Sequence, residues 1–147
     1  MPTEKSFDSK RVVVVGGSSG IGFAVAEKAA LQGAEVVIVA SNAERVQEAV
    51  KGIGGAARGQ TVNVSDEKAV ESFFTNIGAF DHLVFTAGDS LQLHKLADTD
   101  LKQARRAFEL RYWSALATAK YGSPQIRNGG SIVLTRESPA SARTVGG

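Results

Sequence analysis

Short β-branched runs alternate with longer stretches of helical periodicity along most of the chain. Arg11 to Val15 carries valine at every position after the arginine, the pattern of a strand buried on both faces. Val36 to Ala40 repeats it, and Ala57–Val64 and Leu83–Thr86, the latter led in by Asp81-His82, give two further strands. Ser131–Thr135 predicts a fifth. Between the first two strands, Ile21, Ala24, Val25, Ala29 and Leu31 fall toward one side of a helix over Gly20–Gln32, and Gly33 supplies its stop. Ser41 and Glu44 have the spacing of a capping box, which opens a second helix at Ser41 and carries it to Val50. Ser65-Asp66-Glu67 caps and charges a third helix reaching about Ile77. After a loop from Gly88 to about Ala97, Asp98 or Thr99 can cap a long fourth helix extending to about Lys120. Gly122, Pro124 and Gly129-Gly130 predict a break before the last strand.

Strands joined by crossover helices imply an α/β fold: a doubly wound parallel sheet with helices on both faces. The expected strand order is 3-2-1-4-5, which places a ligand crevice between strands 1 and 4, where the order reverses. No repeat or linker divides the chain. Residues 1–135 are expected to form one domain. Arg136 to Gly147 has little apolar content and no period, so a disordered tail is expected over 136–147.

Composition narrows the chemistry. A chain of 147 residues with 43% hydrophobic content supports one core. Seventeen basic against fifteen acidic residues leave a net charge of +2 with no dense Lys/Arg stripe, which argues against a nucleic-acid partner. The chain has no cysteine, so disulfides, thiolate metal sites and a thiol nucleophile are excluded. His82 and His94 lack ligand-spaced partners, so no metal site is expected. Met1 to Ser6 lacks the pattern of a secretory signal, and the longest apolar runs are far too short to span a bilayer. A soluble, cytoplasmic protein without a membrane partner is the expectation.

The sharpest feature is Gly16-Gly17-Ser18-Ser19-Gly20-Ile21-Gly22, directly after the first strand and opening the first helix. The bland alternative is a tight strand-to-helix turn. The phosphate reading assigns each glycine a job: one for the sharp turn, one for close backbone approach to a ligand, and one for close packing of helix on sheet. The free amides at the helix start, with the hydroxyls of Ser18 and Ser19, then face an anion. A Walker-type loop fits worse, because no Gly-Lys-Ser/Thr follows. These features describe a Rossmann-like nucleotide-binding unit. Dinucleotide sites that prefer NAD place an acid at the end of strand 2, on the ribose 2′-hydroxyl. Here that position is Ala40, followed by Ser41 and Asn42, and with Arg45 these residues could receive a 2′-phosphate. NADP is therefore expected over NAD, although Ser41 could serve only as a helix cap and Arg45 only as a solvated cation.

The spacing G-x-x-x-G-x-G resembles that of the short-chain dehydrogenase/reductase family. Asn63-Val64 is similar to the family's Asp-Val beside the adenine. Thr86-Ala87-Gly88 is similar to its Asn-Ala-Gly after strand 4, where the backbone passes the cofactor. Gly130-Ser131-Ile132-Val133 resembles its fifth strand, so the resemblance runs from Lys10 to Thr135. It implies a nicotinamide cofactor and hydride transfer to or from a small-molecule carbonyl or alcohol carbon. It also implies Ser, Tyr, Lys and Asn catalysts, with Tyr as the general acid or base. The match departs here. The Asn position falls at Arg111, and the Ser position falls near Glu137 with Ser138 beside it. No Tyr-x-x-x-Lys occurs. Arg111 and Ser138 are thus the catalytic candidates, and Arg111 could equally be a helix-surface cation. The resemblance further implies a C-terminally truncated, inactive chain with a foreign tail, and a homodimer or higher homo-oligomer formed through the fourth helix. Trp113, Phe108, Leu110 and Leu116 on that helix are expected to pack. A non-catalytic dinucleotide-binding module remains the alternative.

Overall fold

The computed structural model describes residues 6–87 and 95–135. Five strands run parallel in the order β3-β2-β1-β4-β5, as the alternation predicts. They are β1 (Arg11–Val15), β2 (Glu35–Ala40), β3 (Arg58–Thr61), β4 (Phe80–Phe85) and β5 (Ile126–Leu134). The helices between them are α1 (Gly20–Leu31), α2 (Ala43–Ile53), α3 (Glu67–Ile77), α4 (Leu101–Phe108) and α5 (Ser114–Gly122), with a π-helical segment, Glu109–Trp113, joining the last two. Side chains of successive strand residues point to opposite faces. Val13 and Val15 therefore enter one core with Phe73, Phe74 and Phe80, whereas Val12 and Val14 enter a second with Ala26, Ala29 and Ile38. The continuous valine run is what two covered faces require.

Several local expectations are corrected. The inward face of α1 is Gly22, Ala26 and Ala29, not the larger apolar residues; Ile21 and Leu31 are 61% and 67% exposed. Small side chains let the helix axis lie close to the sheet, and that closeness outweighs the burial of bulk. The cap of α2 is Asn42, whose Oδ1 accepts from the Arg45 amide at 3.0 Å, so Ser41 is not the cap. Likewise Asp100 caps α4, while Asp98 belongs to a short 3-10 turn at Leu96–Asp98. Asp66 caps α3 as expected. Gly129-Gly130 does not end an element. It lies inside β5, where Gly129 takes φ +83° and the pairing with β4 shifts register between Phe80 and His82. A Cβ on Gly130 would meet the Asp81 carbonyl. These glycines serve a bulge rather than a turn.

The amino ends of the strands carry a charge cluster. Asp81 is 5% exposed. Its Oδ2 accepts from the Arg11 amide at 2.8 Å and from the Arg127 guanidinium at 2.9 Å. Arg11 also donates to the Ile77 carbonyl and lies 3.6 Å from Glu35. Burial pushes the Asp81 carboxyl up, but the Arg11 amide and the Arg127 charge outweigh it and hold it below its ordinary value.

Candidate cofactor site

The opposite, carboxyl ends of the strands open into a cavity of about 730 Å³, within the size range of small-molecule sites. Its floor is the turn between β1 and α1. Gly16 leaves the strand at φ +87°, and a Cβ there would lie 2.6 Å from the Ala87 nitrogen. A Cβ on Gly22 would meet the Gly16 carbonyl, so this glycine sets how closely α1 rests on the sheet. Gly20 has φ +57° and nothing within 4 Å of where its Cβ would be. It faces the open crevice and permits close approach. The three glycines therefore divide the labour as their spacing suggests.

The start of α1 fits an anionic group. The first amides of a helix have no intrahelical acceptor. Ser19 occupies the cap position, yet its side chain accepts from none of them, and no acidic residue stands in the first turn. Ser18, Ser19 and Ile21 line the same cavity. The residues present thus fit the pyrophosphate of a dinucleotide.

Thr86 fixes this floor through its side chain. Its Oγ1 lies 3.1 Å from both the Val15 and Gly16 carbonyls, so one hydroxyl ties the end of β4 to the turn leaving β1. The family resemblance implies a role only for the backbone of Thr86-Ala87, so this side-chain tie adds to it.

On the β2 side, Ala40, Ser41 and Arg45 line the cavity. Ser41, freed from capping, is exposed toward it. Asn42 is not among the lining residues, because its Oδ1 is engaged in the helix cap. Of the pair Asn63-Val64, Val64 lines the cavity, while Asn63 accepts from the Ser65 amide at 3.1 Å and shapes the turn. Thr86 and Ala87 contribute from β4. Gly88, Ser138, Glu137 and His94 lie outside the described residues.

On the β4–β5 side, Arg111 lines the cavity together with Tyr112 and Thr135. Leu110, Leu116 and Leu134 add apolar wall. Sequence periodicity could not find this group, because the π-helical turn that presents it breaks the 3.6-residue repeat. No aspartate or glutamate lines the cavity among the described residues, whereas two arginines do.

Other candidates stand elsewhere. Tyr121 donates to Glu67 Oε1 at 2.6 Å, and that bond, with burial and the nearby carboxylates, pushes its phenol up to about 12. His82 lies 2.9 Å from Ser131 Oγ, and no three His, Cys, Asp or Glu among the described residues could hold a metal ion. The expected packing of Phe108, Trp113 and Leu116 is corrected. Each is about half exposed or more, with Phe108 stacked on Tyr112, and only Leu110 reaches the core. No helix among the described residues is long and apolar enough to cross a membrane.

Comparison with known proteins agrees with this geometry. The short chain dehydrogenase family model matches residues 10–144, reaching beyond the Thr135 limit that the motifs suggest. Short-chain dehydrogenase/reductase fsr5 of Gibberella fujikuroi is 35% identical over 140 residues, covering 85% of this chain and 53% of that protein. The 7alpha-hydroxysteroid dehydrogenase of Escherichia coli is 29% identical, covering 91% of this chain and 55% of its own length. A short-chain dehydrogenase from Burkholderia cenocepacia, solved in complex with NADP, superposes with a TM-score of 0.77 at 30% identity, covering 86% of this chain and 54% of that one. The chain spans about half the length of the curated relatives it matches. Fold order, glycine turn and family match together place this chain in the short-chain dehydrogenase family.

Proposed function

We propose that this chain binds NADP and serves hydride transfer between that dinucleotide and the carbonyl or alcohol carbon of a small molecule. The observation that carries the reading is the uncapped start of α1, set over a glycine turn and opening into a cavity lined by arginine but by no described carboxylate. The amides of Gly20, Ile21 and Gly22 and the hydroxyls of Ser18 and Ser19 hold the pyrophosphate. Val64 lies against the adenine. Ser41 and Arg45, at the end of β2, take the 2′-phosphate. The Thr86-Ala87 backbone passes the nicotinamide half. The nicotinamide supplies the hydride, and the protein holds and orients it. Arg111 stands at the family's Asn position, facing the same crevice. The family's proton-transferring tyrosine–lysine pair is not among the 147 residues. The Burkholderia relative's NADP complex supports the cofactor assignment.

Calorimetric titration with NADPH and NADH tests this. NADPH should bind about tenfold tighter or more, the worth of one charge-assisted contact. Tighter NADH would overturn the 2′-phosphate assignment, and no heat with either would overturn the function. The exposed Phe108, Tyr112, Trp113 and Leu116 support a homodimer or larger assembly. Light scattering should show a mass above 15.4 kDa that falls on dilution.

A further inference from the structure

We infer that the β4–β5 half of the crevice holds an alcohol borne on an apolar hydrocarbon body, and that the Thr135 hydroxyl accepts a hydrogen bond from its O–H group. The inference rests on the dinucleotide reading above and adds the class of the second ligand.

In a doubly wound sheet the adenosine half of the cofactor lies toward strand 2 and the pyrophosphate lies over the glycine turn. Ser41 and Arg45 mark the adenosine end here, and Gly16, Gly20 and Gly22 mark the middle. The cavity then continues past Thr86, at the end of β4, to Leu134 and Thr135, one strand further out, where Phe85 pairs with Leu134. That outer part is left for the nicotinamide and whatever reacts with it.

A threonine hydroxyl has one proton to give and two lone pairs. Thr135 Oγ1 donates that proton to the Phe85 carbonyl at 2.9 Å, and the same carbonyl accepts the Thr135 amide at 3.0 Å. Main chain and side chain of Thr135 are thus fixed on a single acceptor, and lone pairs are what Oγ1 has left to offer. Thr86 behaves alike, because its proton goes to the Val15 or the Gly16 carbonyl. An alcohol can donate to such an oxygen. A ketone has no proton to donate, and its own lone pairs face those of Thr135 unless the bond to Phe85 is given up. Thr135 therefore separates the two redox forms of one carbon skeleton, in favour of the reduced one.

The walls set the rest of the ligand. Leu110, Tyr112, Ala115, Leu116 and Leu134 line this part of the cavity. The Tyr112 ring is held by its neighbours, stacked on Phe108 with centroids 5.4 Å apart and edge-on to Trp113 at 5.0 Å. Apolar walls with a few polar groups that fix orientation are the pattern of a small-molecule site. Arg111 stands in the same wall and already interacts within the chain, so no ligand group is assigned to it. The ligand class is thus an alcohol on a hydrocarbon body, with Thr135 as the residue that orients it.

The test titrates 2-decalol and 2-decalone, an alcohol and a ketone of one skeleton, into the chain already saturated with oxidised NADP, by calorimetry. The alcohol should bind about threefold tighter or better, the net worth of one neutral hydrogen bond. Thr135→Val removes the acceptor and should bring the two affinities together by weakening the alcohol alone. Thr135→Ser keeps the hydroxyl and should keep the preference. NADP affinity should be unchanged in both variants, with circular dichroism confirming the fold. The small alcohol 2-propanol, which leaves the apolar wall uncovered, should bind about tenfold more weakly than 2-decalol or worse. Equal binding of alcohol and ketone, binding of neither, 2-propanol matching 2-decalol, a preference that survives in Thr135→Val, or one lost in Thr135→Ser would overturn the inference. So would a loss of NADP affinity in Thr135→Val, which would assign this hydroxyl to the cofactor. Failure of the unaltered chain to bind NADP would overturn the dinucleotide reading itself, a result separable from the others because NADP is titrated first.

Discussion

At the amino ends of β1, β4 and β5, the Asp81 carboxylate is buried and accepts from the Arg11 amide in β1 and the Arg127 guanidinium in β5. At the carboxyl ends of the same strands, the arginines face a cavity that no described carboxylate shares. One end satisfies its charges within the chain and so contributes to holding the sheet together. The other leaves the first amides of α1 without a side-chain cap, open to a ligand. The contrast shows how a single parallel sheet separates stability from binding over the length of five or six residues.

Substitutions at the two ends should therefore have different readouts. The largest effect is expected at Gly22, where an alanine Cβ would meet the Gly16 carbonyl. Gly22→Ala should weaken NADPH about a hundredfold and cost roughly 1–3 kcal/mol through overpacking. Unchanged titration heat would break the assignment of this turn to the cofactor.

Asp81→Ala should lower unfolding free energy by roughly 2–3 kcal/mol, less than a fully buried pair because the Arg127 side chain is 49% exposed. NADPH affinity should not change. A parallel loss of affinity in denaturant melts and titrations would show that the two ends are coupled.

The same carboxylate fixes a pH dependence. Its native value is depressed, so its contribution is fully present above the unfolded value of about 4 and is lost as pH falls through the native value. Urea melts from pH 6 down to pH 2 should show a loss that Asp81→Asn lacks. Identical profiles for the two proteins would remove Asp81 as its source.

Arg45→Gln sharpens the contrast from the other side. It should weaken NADPH about tenfold, leave NADH unchanged and leave the melting temperature in place. A similar loss for both cofactors would place Arg45 on a shared phosphate instead.

The strand order and the crevice were legible because they follow from local signals: valine runs, an Asp66 cap and glycines bracketed by a strand and a helix. Residues whose role depends on competition between neighbours were not. Ser41 and Asn42 are both good cap formers, and where β2 ends decided for Asn42. The α1 face was misread because pattern rules seek large apolar residues, while close helix–sheet packing wanted Gly22 and Ala26. Gly129-Gly130 suits a turn or a bulge equally, and only the partner strand chooses. The crevice wall at Arg111 and Tyr112 depends on a π-helical turn that no spacing announces.

The Thr86 hydroxyl joins residues 70 and 71 positions apart in the chain. Such a contact forms only after a long loop has closed, which makes it slow relative to the pairing of β1 with β2. While a nascent chain is still short of Phe85, it carries every glycine of the turn but has neither the second wall nor the latch. Cofactor recognition is thus a late event in folding, and a bound dinucleotide should act chiefly as a brake on unfolding.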